Sequence, residues 1–169
     1  MHRCSARFYN MLEINPLLMQ LKDIQVRLGQ EKYDDLYSIL ASSRKVQLVD
    51  ARWPEFIQSL QAKNIPTIGL TAFWNGPYGI VPDMGKFRVD QLKSLNIAFD
   101  YAAPNIDLVL SGLEPKQPGY FPVFKNGILI TCYVCKGQVL QGFLNSPKNV
   151  RQCQPKRVIF IEDRLPYLE

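Results

Sequence analysis

Four side chains have the types and placement to do phosphate chemistry. Glu162 and Asp163 are adjacent acids that follow at once on the apolar run Val158-Ile-Phe-Ile161. A short apolar run closed by such a polarity switch predicts a buried strand of a parallel sheet. The acids would then stand at its carboxyl end, where open α/β sheets place their ligands. Two neighbouring carboxylates need a cation or a shared proton, and a hard metal such as Mg²⁺ suits them. Thr71 closes a second apolar run, Ile65-Pro-Thr-Ile-Gly-Leu70, and Lys136 opens a helical pattern within Cys135-Lys-Gly-Gln138. A hydroxyl bonds a phosphate oxygen, a lysine neutralises its charge, and a carboxylate pair holds the metal. Phosphoryl-transfer sites use these parts, because positioning and charge neutralisation supply most of their catalysis.

Each part alone is weak. A threonine at a strand end usually packs or caps, a lysine at a helix start is usually solvated, and paired acids after a strand often begin a loop or an N-cap. The order along the chain makes the set more specific than its members.

The elements that must position these residues are readable from periodicity. Leu17, Leu18, Leu21, Ile24, Val26 and Leu28 form the apolar face of a first helix, with Pro16 in its first turn and Gly29 at its end. Tyr33, Leu36, Tyr37, Ile39 and Leu40 continue as a second helix. Val46 to Val49 reads as a short extended piece. Trp53 to Ala62 reads as a helix with Pro54 in its first turn and Asn64 at its end. Ile65 to Leu70 reads as a buried strand, and Lys86 to Leu95 as a helix carrying Phe87, Val89, Leu92 and Leu95. The Pro- and Gly-rich segment from Ala103 to Gly119 reads as irregular. Phe121 to Phe124 and Ile128 to Thr131 flank Lys-Asn126-Gly127, and Asn-Gly is a strong hairpin signal because both residues tolerate positive φ. Lys136 to Leu144 is the last helix and Val158 to Ile161 the last strand. Helix–strand–helix–hairpin–helix–strand argues for a layered α/β domain over residues 46 to 169, preceded by a helical segment over residues 1 to 45.

Composition narrows the function classes. With 169 residues, 47% of them hydrophobic and 21% charged, the chain can bury a proper core. The net charge of +5 is spread over small clusters at Arg44-Lys45, Lys148 to Arg151 and Lys156-Arg157. Without a longer basic run nucleic-acid binding is not expected, and a modest attraction for anionic substrates such as small phosphorylated compounds is equally compatible with this charge. No apolar stretch approaches the ~20 residues that span a bilayer, so no membrane span is expected. The start, Met1 to Phe8, has no apolar h-region, which reads as cytoplasmic for the chain as given. Cys132-Tyr-Val-Cys135 is a lone C-x-x-C, and His2 is the only histidine. A closed zinc site would have to draw on Cys4, Cys153 or a carboxylate. Reduced thiols are the favoured reading, with a thiol-redox or zinc module on Cys132 and Cys135 a minor alternative.

Val46-Gln-Leu-Val-Asp50, Ile65-Pro-Thr-Ile-Gly-Leu-Thr-Ala72, Arg88-Val-Asp-Gln-Leu-Lys-Ser-Leu-Asn-Ile97, Asn126-Gly-Ile-Leu-Ile-Thr131, Lys136-Gly137 and Val158-Ile-Phe-Ile-Glu-Asp-Arg164 together resemble the haloacid dehalogenase (HAD) superfamily. More narrowly, they resemble an uncharacterised bacterial branch of HAD-like proteins found in intracellular pathogens and their relatives. The resemblance covers roughly residues 40 to 169. It implies a Rossmann-like core with parallel strands and helices on both faces, and a Mg²⁺-dependent phosphomonoester hydrolase. It also implies that Thr71 and Lys136 hold phosphate and that Glu162 and Asp163 hold the metal. Because relatives in this branch often carry signal peptides, a secreted or periplasmic location stays open.

The departures carry equal weight. HAD enzymes use a D-x-D motif after their first strand, its first Asp forming the aspartyl-phosphate and its second acting as general acid/base. This sequence contains no D-x-D, and the nearest look-alike, Asp50-Ala-Arg52, sits in the wrong segment. The fourth motif reads Glu162-Asp163 where two Asp residues are commoner. The expectation is therefore an incomplete HAD-like core, inactive as a phosphatase in this chain. An alternative is a non-catalytic binding or host-interaction protein on a degenerate scaffold, presenting the aromatics of Phe73-Trp-Asn-Gly-Pro-Tyr-Gly79. A sheet lacking a strand also exposes edges, which a second copy or a protein partner would cover.

Overall fold

The computed structural model describes residues 16–99, 107–147 and 155–161. Glu162 and Asp163, with Cys4 and Cys153, lie outside the described residues. The chain divides into two compact units, one holding the residues up to Lys45 together with Pro77–Pro82, the other Val46–Gly76 with the residues from Asp83 onward.

In the first unit, α1 (Pro16–Leu28) and α2 (Gln30–Ser43) are split by Gly29, whose φ of 78° only glycine adopts without cost. Val26, assigned above to the apolar face, is 84% exposed, and Leu28 is exposed as well. Helical spacing explains Val26, since it lies two residues from Ile24 and so points nearly opposite. Ser38 is fully buried; its Oγ donates to the Asp35 carbonyl and accepts from the Ile80 N–H. Tyr78 packs edge-on against Tyr37. Its phenol is pushed well above the usual range, first by burial and then by its hydrogen bond to Asp34.

The second unit is a mixed α/β assembly around a four-stranded sheet in the order β1-β4-β3-β2. The strands are β1 (Gly69–Thr71), β2 (Leu108–Val109), β3 (Val123–Lys125) and β4 (Ile128–Ile130), and the helices are α3 (Trp53–Ala62), α4 (Met84–Ser94) and α5 (Lys136–Leu144). β1 runs parallel to β4 with Gly69 opposite Ile128 and Thr71 opposite Ile130; the other pairs are antiparallel. The β3–β4 turn is the Asn126-Gly127 pair, both at positive φ as a type I′ turn requires.

Alternation along the strands sorts the core into two layers. Leu108, Phe124 and Leu129 pack with Val139 and Phe143 of α5, and Leu70 joins them. Val123, Ile128 and Ile130 pack with Val89 and Leu92 of α4 and with Phe99. Helices thus cover both faces, and β4, between its neighbours, is almost wholly removed from solvent. Asp83 caps α4 by accepting the Lys86 N–H at 2.8 Å, and Asn64 and Asn96, just past α3 and α4, take the left-handed conformation that ends a helix.

Four expectations need correction. Val158–Ile161 is not a buried strand: it has no regular structure, and Val158, Ile159 and Ile161 are 48%, 74% and 63% exposed. An apolar run signals a demand for burial but does not by itself specify pairing with a sheet edge. Val46–Val49 is likewise irregular, with Val49 fully exposed. The expected parallel strands are reduced to the single β1–β4 pair, and beside the expected hairpin the unexpected β2 adds a further antiparallel neighbour. The expected strand at Ile65–Leu70 is confined to its last residues and Thr71.

Candidate functional site

Thr71 is the last residue of β1, and its carbonyl accepts the Thr131 N–H at 2.9 Å. One step further, the Phe73 carbonyl accepts the Cys132 N–H at 3.0 Å. The exits of the two parallel strands are therefore joined rung by rung past their carboxyl ends. The chain then turns sharply into α5. Cys132 and Tyr133 both hold positive φ, at 47° and 60°, and the Val134 N–H closes the turn on the Thr131 carbonyl. Two successive left-handed non-glycine residues store strain of roughly 1–3 kcal/mol each, which the surrounding contacts must hold in place.

Lys136 is the first residue of α5. Cys135, the N-cap, makes no side-chain capping bond, so it leaves the first-turn amides to other partners. A positive helix terminus with a lysine upon it favours an anion. The fold thus brings Thr71 and Lys136 to the same end of the β1–β4 pair. Thr71 shares a register position with Ile130, on the α4 side of the sheet, and Lys136 begins the helix on the other side. Thr131, between them in the chain, is fully buried with its Oγ1 lacking a hydrogen-bond partner.

Arg88 was not singled out above for chemistry, yet it belongs to this end of the sheet. Its guanidinium carbon lies 4.0 Å from the centroid of the Phe73 ring, and its Nε is buried without a hydrogen-bond partner. Burial lowers its pKa, partly opposed by Tyr133. A signal existed in the sequence: Arg88 falls on the stripe of Leu92 and Leu95 at helical spacing, a charge on an apolar face.

The remaining candidates sort differently. Asp50 is half-exposed and bound to Arg52 at 2.6 Å, and that hydrogen bond holds its carboxyl below the usual range. Cys132 is buried, its Sγ donating to the Phe121 carbonyl at 3.3 Å, and burial pushes its thiol up. Among the described residues no group of three or more His, Cys, Asp or Glu side chains could hold a metal. Phe73 and Trp74 are half-buried, Trp74 packing on Tyr120 and Tyr133 with centroids 5.5 and 4.7 Å away. An open groove of about 790 Å³ runs between Gly112–Lys116 and α5, and neither Thr71 nor Lys136 lines it. Among the described residues no helix is long and apolar enough to cross a membrane.

Comparison with known proteins gives a family without an assigned chemistry. An uncharacterised protein of Rickettsia bellii is 25% identical over 112 residues, covering 66% of this chain and 38% of the relative. One from Rickettsia felis is 25% identical over 134 residues, 79% of this chain and 44% of the relative. One from Rickettsia typhi is 24% identical over 143 residues, 84% and 47%. The chain therefore spans less than half the length of these curated relatives. No solved structure matches it. Residues 17–169 match the family described as "Protein of unknown function (DUF2608)", and the chain belongs to that family.

Proposed function

We propose that this chain carries the phosphate-binding part of a HAD-like, Mg²⁺-dependent phosphomonoester hydrolase site, and that the chain by itself turns over no phosphate ester. What supports the reading is that β1 ends at Thr71 and α5 begins at Lys136 just past the carboxyl end of the β1–β4 parallel pair, on backbone exits tied by the Thr131–Thr71 and Cys132–Phe73 hydrogen bonds. In this reading the Thr71 hydroxyl and the Lys136 ammonium bind a phosphate dianion of a small phosphorylated substrate. Glu162 and Asp163 would hold Mg²⁺, and the donor set fits, since Mg²⁺ takes one or two carboxylates and completes its shell with water and phosphate oxygens. When bound there, the ion would neutralise charge on the phosphate. Aspartyl-phosphate chemistry needs a nucleophilic Asp beside an acid/base Asp, and no D-x-D occurs in the sequence.

The outer edge of β1 has no paired strand among the described residues. A second copy or another protein segment that covers this edge belongs to the same proposal, because unpaired edges invite strand addition. The test of inactivity is an assay of the purified chain with a generic aryl phosphate and Mg²⁺. Background hydrolysis is expected for the chain and for Lys136→Ala alike. Turnover that vanishes in Lys136→Ala would show that the chain is a competent hydrolase and refute the inactive reading.

A further inference from the structure

Arg88 carries a charge that its surroundings leave unanswered. Its guanidinium carbon sits over the Phe73 ring, 4.0 Å from the centroid, the residue is half-buried, and its buried Nε–H meets no acceptor. Among the described residues no carboxylate pairs with it; the ion pairs are Asp50–Arg52, Asp90–Lys86 and Asp83–Lys125. A desolvated cation with an orphan donor is unfavourable unless an anion completes it. Stacking on an aromatic face recovers part of that cost and also fixes the plane of the guanidinium. What remains is a preorganised fork, the geometry with which arginine takes a carboxylate or phosphate through two parallel hydrogen bonds.

Its place in the fold says which anion. Phe73 lies two residues beyond Thr71 and is bonded through its carbonyl to Cys132, so Arg88 stands at the same sheet end as Thr71 and Lys136. But Arg88 is on α4 and Lys136 on α5, and these helices cover opposite faces of the sheet. Thr71 lies on the α4 face with Arg88, so the site spans both faces; with Lys136 neutralising the phosphate from the α5 side and the Phe73 ring holding the Arg88 guanidinium in place, Arg88 is left for a further oxyanion beside it.

We propose that Arg88 recognises a second anionic group, a carboxylate or a further phosphate, on a ligand whose first phosphate lies at Thr71 and Lys136. The ligand is then a phosphorylated compound with two anionic ends, and Arg88 is its specificity residue. This inference rests on the phosphate reading of Thr71 and Lys136.

The experiment compares inorganic phosphate, phosphonoacetate (phosphonate and carboxylate) and methylenediphosphonate (two phosphonates) by isothermal titration calorimetry with the full chain and Mg²⁺. The unmutated chain is expected to prefer at least one bifunctional probe over phosphate by about tenfold or more. Arg88→Gln should erase that preference and leave the phosphate Kd unchanged. Lys136→Ala should weaken all three probes. A preference that survives in Arg88→Gln, or its absence in the unmutated chain, overturns the role of Arg88. Loss of preference in Arg88→Gln with no effect of Lys136→Ala overturns the phosphate reading while leaving Arg88 as an anion-binding residue. Should Arg88→Gln fail to fold, the assigned Arg88 Nε–H resonance of the unmutated protein decides: it shifts with a bifunctional probe and not with phosphate, and an unmoved resonance overturns the proposal.

Discussion

Replacing Gly127 by alanine tests how the hairpin holds the site. Gly127 has φ +73°, and an added Cβ would lie 2.3 Å from the Phe99 carbonyl oxygen and 2.5 Å from the Phe99 Cβ. Two costs follow. An L-residue in the left-handed region loses roughly 1–2 kcal/mol relative to glycine. Forcing backbone aside in a packed region adds about 1–3 kcal/mol. The expected destabilisation is therefore about 2–5 kcal/mol, the sum of these two ranges. Gly119 separates the two terms, because its φ is +83° and nothing lies within 4 Å of the added Cβ. Gly119→Ala should cost only the first term. The effect of Gly127→Ala should extend to β1, since the Gly127 carbonyl accepts the Gly69 N–H at 3.0 Å and so sets the parallel register. Both tryptophans, Trp53 and Trp74, lie in the sheet-bearing unit, so their fluorescence during urea unfolding follows that unit. Equal midpoints for Gly127→Ala and Gly119→Ala would refute the close approach of the turn to Phe99.

Two further outcomes follow from the helical unit and from the cap of α4. Gly79→Ala should destabilise the first unit by about 2 kcal/mol or more, because the new Cβ at φ +53° would meet the Asp34 carbonyl and Ser38 Oγ at 2.3 Å; circular dichroism melting that leaves Tm unchanged would contradict this. Asp83→Ala should cost about 1 kcal/mol at neutral pH by removing the N-cap. The Asp83 carboxyl is held below the usual aspartate range, first by the Lys86 N–H, so its stabilisation is fully present at neutral pH and is lost as pH falls through the depressed folded-state value. The difference between Asp83→Ala and the unmutated chain should shrink as the pH is lowered below about 4, and a difference that grows on acidification would reverse the sign of this argument.

Much of this architecture was legible in the residues because local signals and tertiary demand agree. Trp53–Ala62 and Lys136–Leu144 form over the expected spans, since Pro54 and the apolar spacing specify the same helix that the sheet requires. Asn126-Gly127 specifies its turn through backbone conformation alone, independent of what surrounds it. β2 was not legible: Leu108–Val109 is too short for alternation to show among the prolines and glycines, and it exists because β3 offers an edge. Val158–Ile161 failed in the opposite direction, an apolar run that pairs with no strand even though the outer edge of β1 is open among the described residues. The places of Thr71 and Lys136 were legible because a strand end and a helix start can each be read locally. Arg88 was not, because its meaning depends on Phe73, a residue fifteen positions earlier, and on a missing acceptor that only the folded packing reveals.

The central claim is that Thr71 and Lys136 form a phosphate site. The most direct measurement is titration of the purified chain with inorganic phosphate in Mg²⁺, followed by calorimetry or ³¹P line broadening, alongside Thr71→Val and Lys136→Ala. The account predicts saturable binding that each substitution weakens, Lys136→Ala by about tenfold or more. Phosphate binding that both variants retain at full strength, or no binding by the unmutated chain, would contradict it.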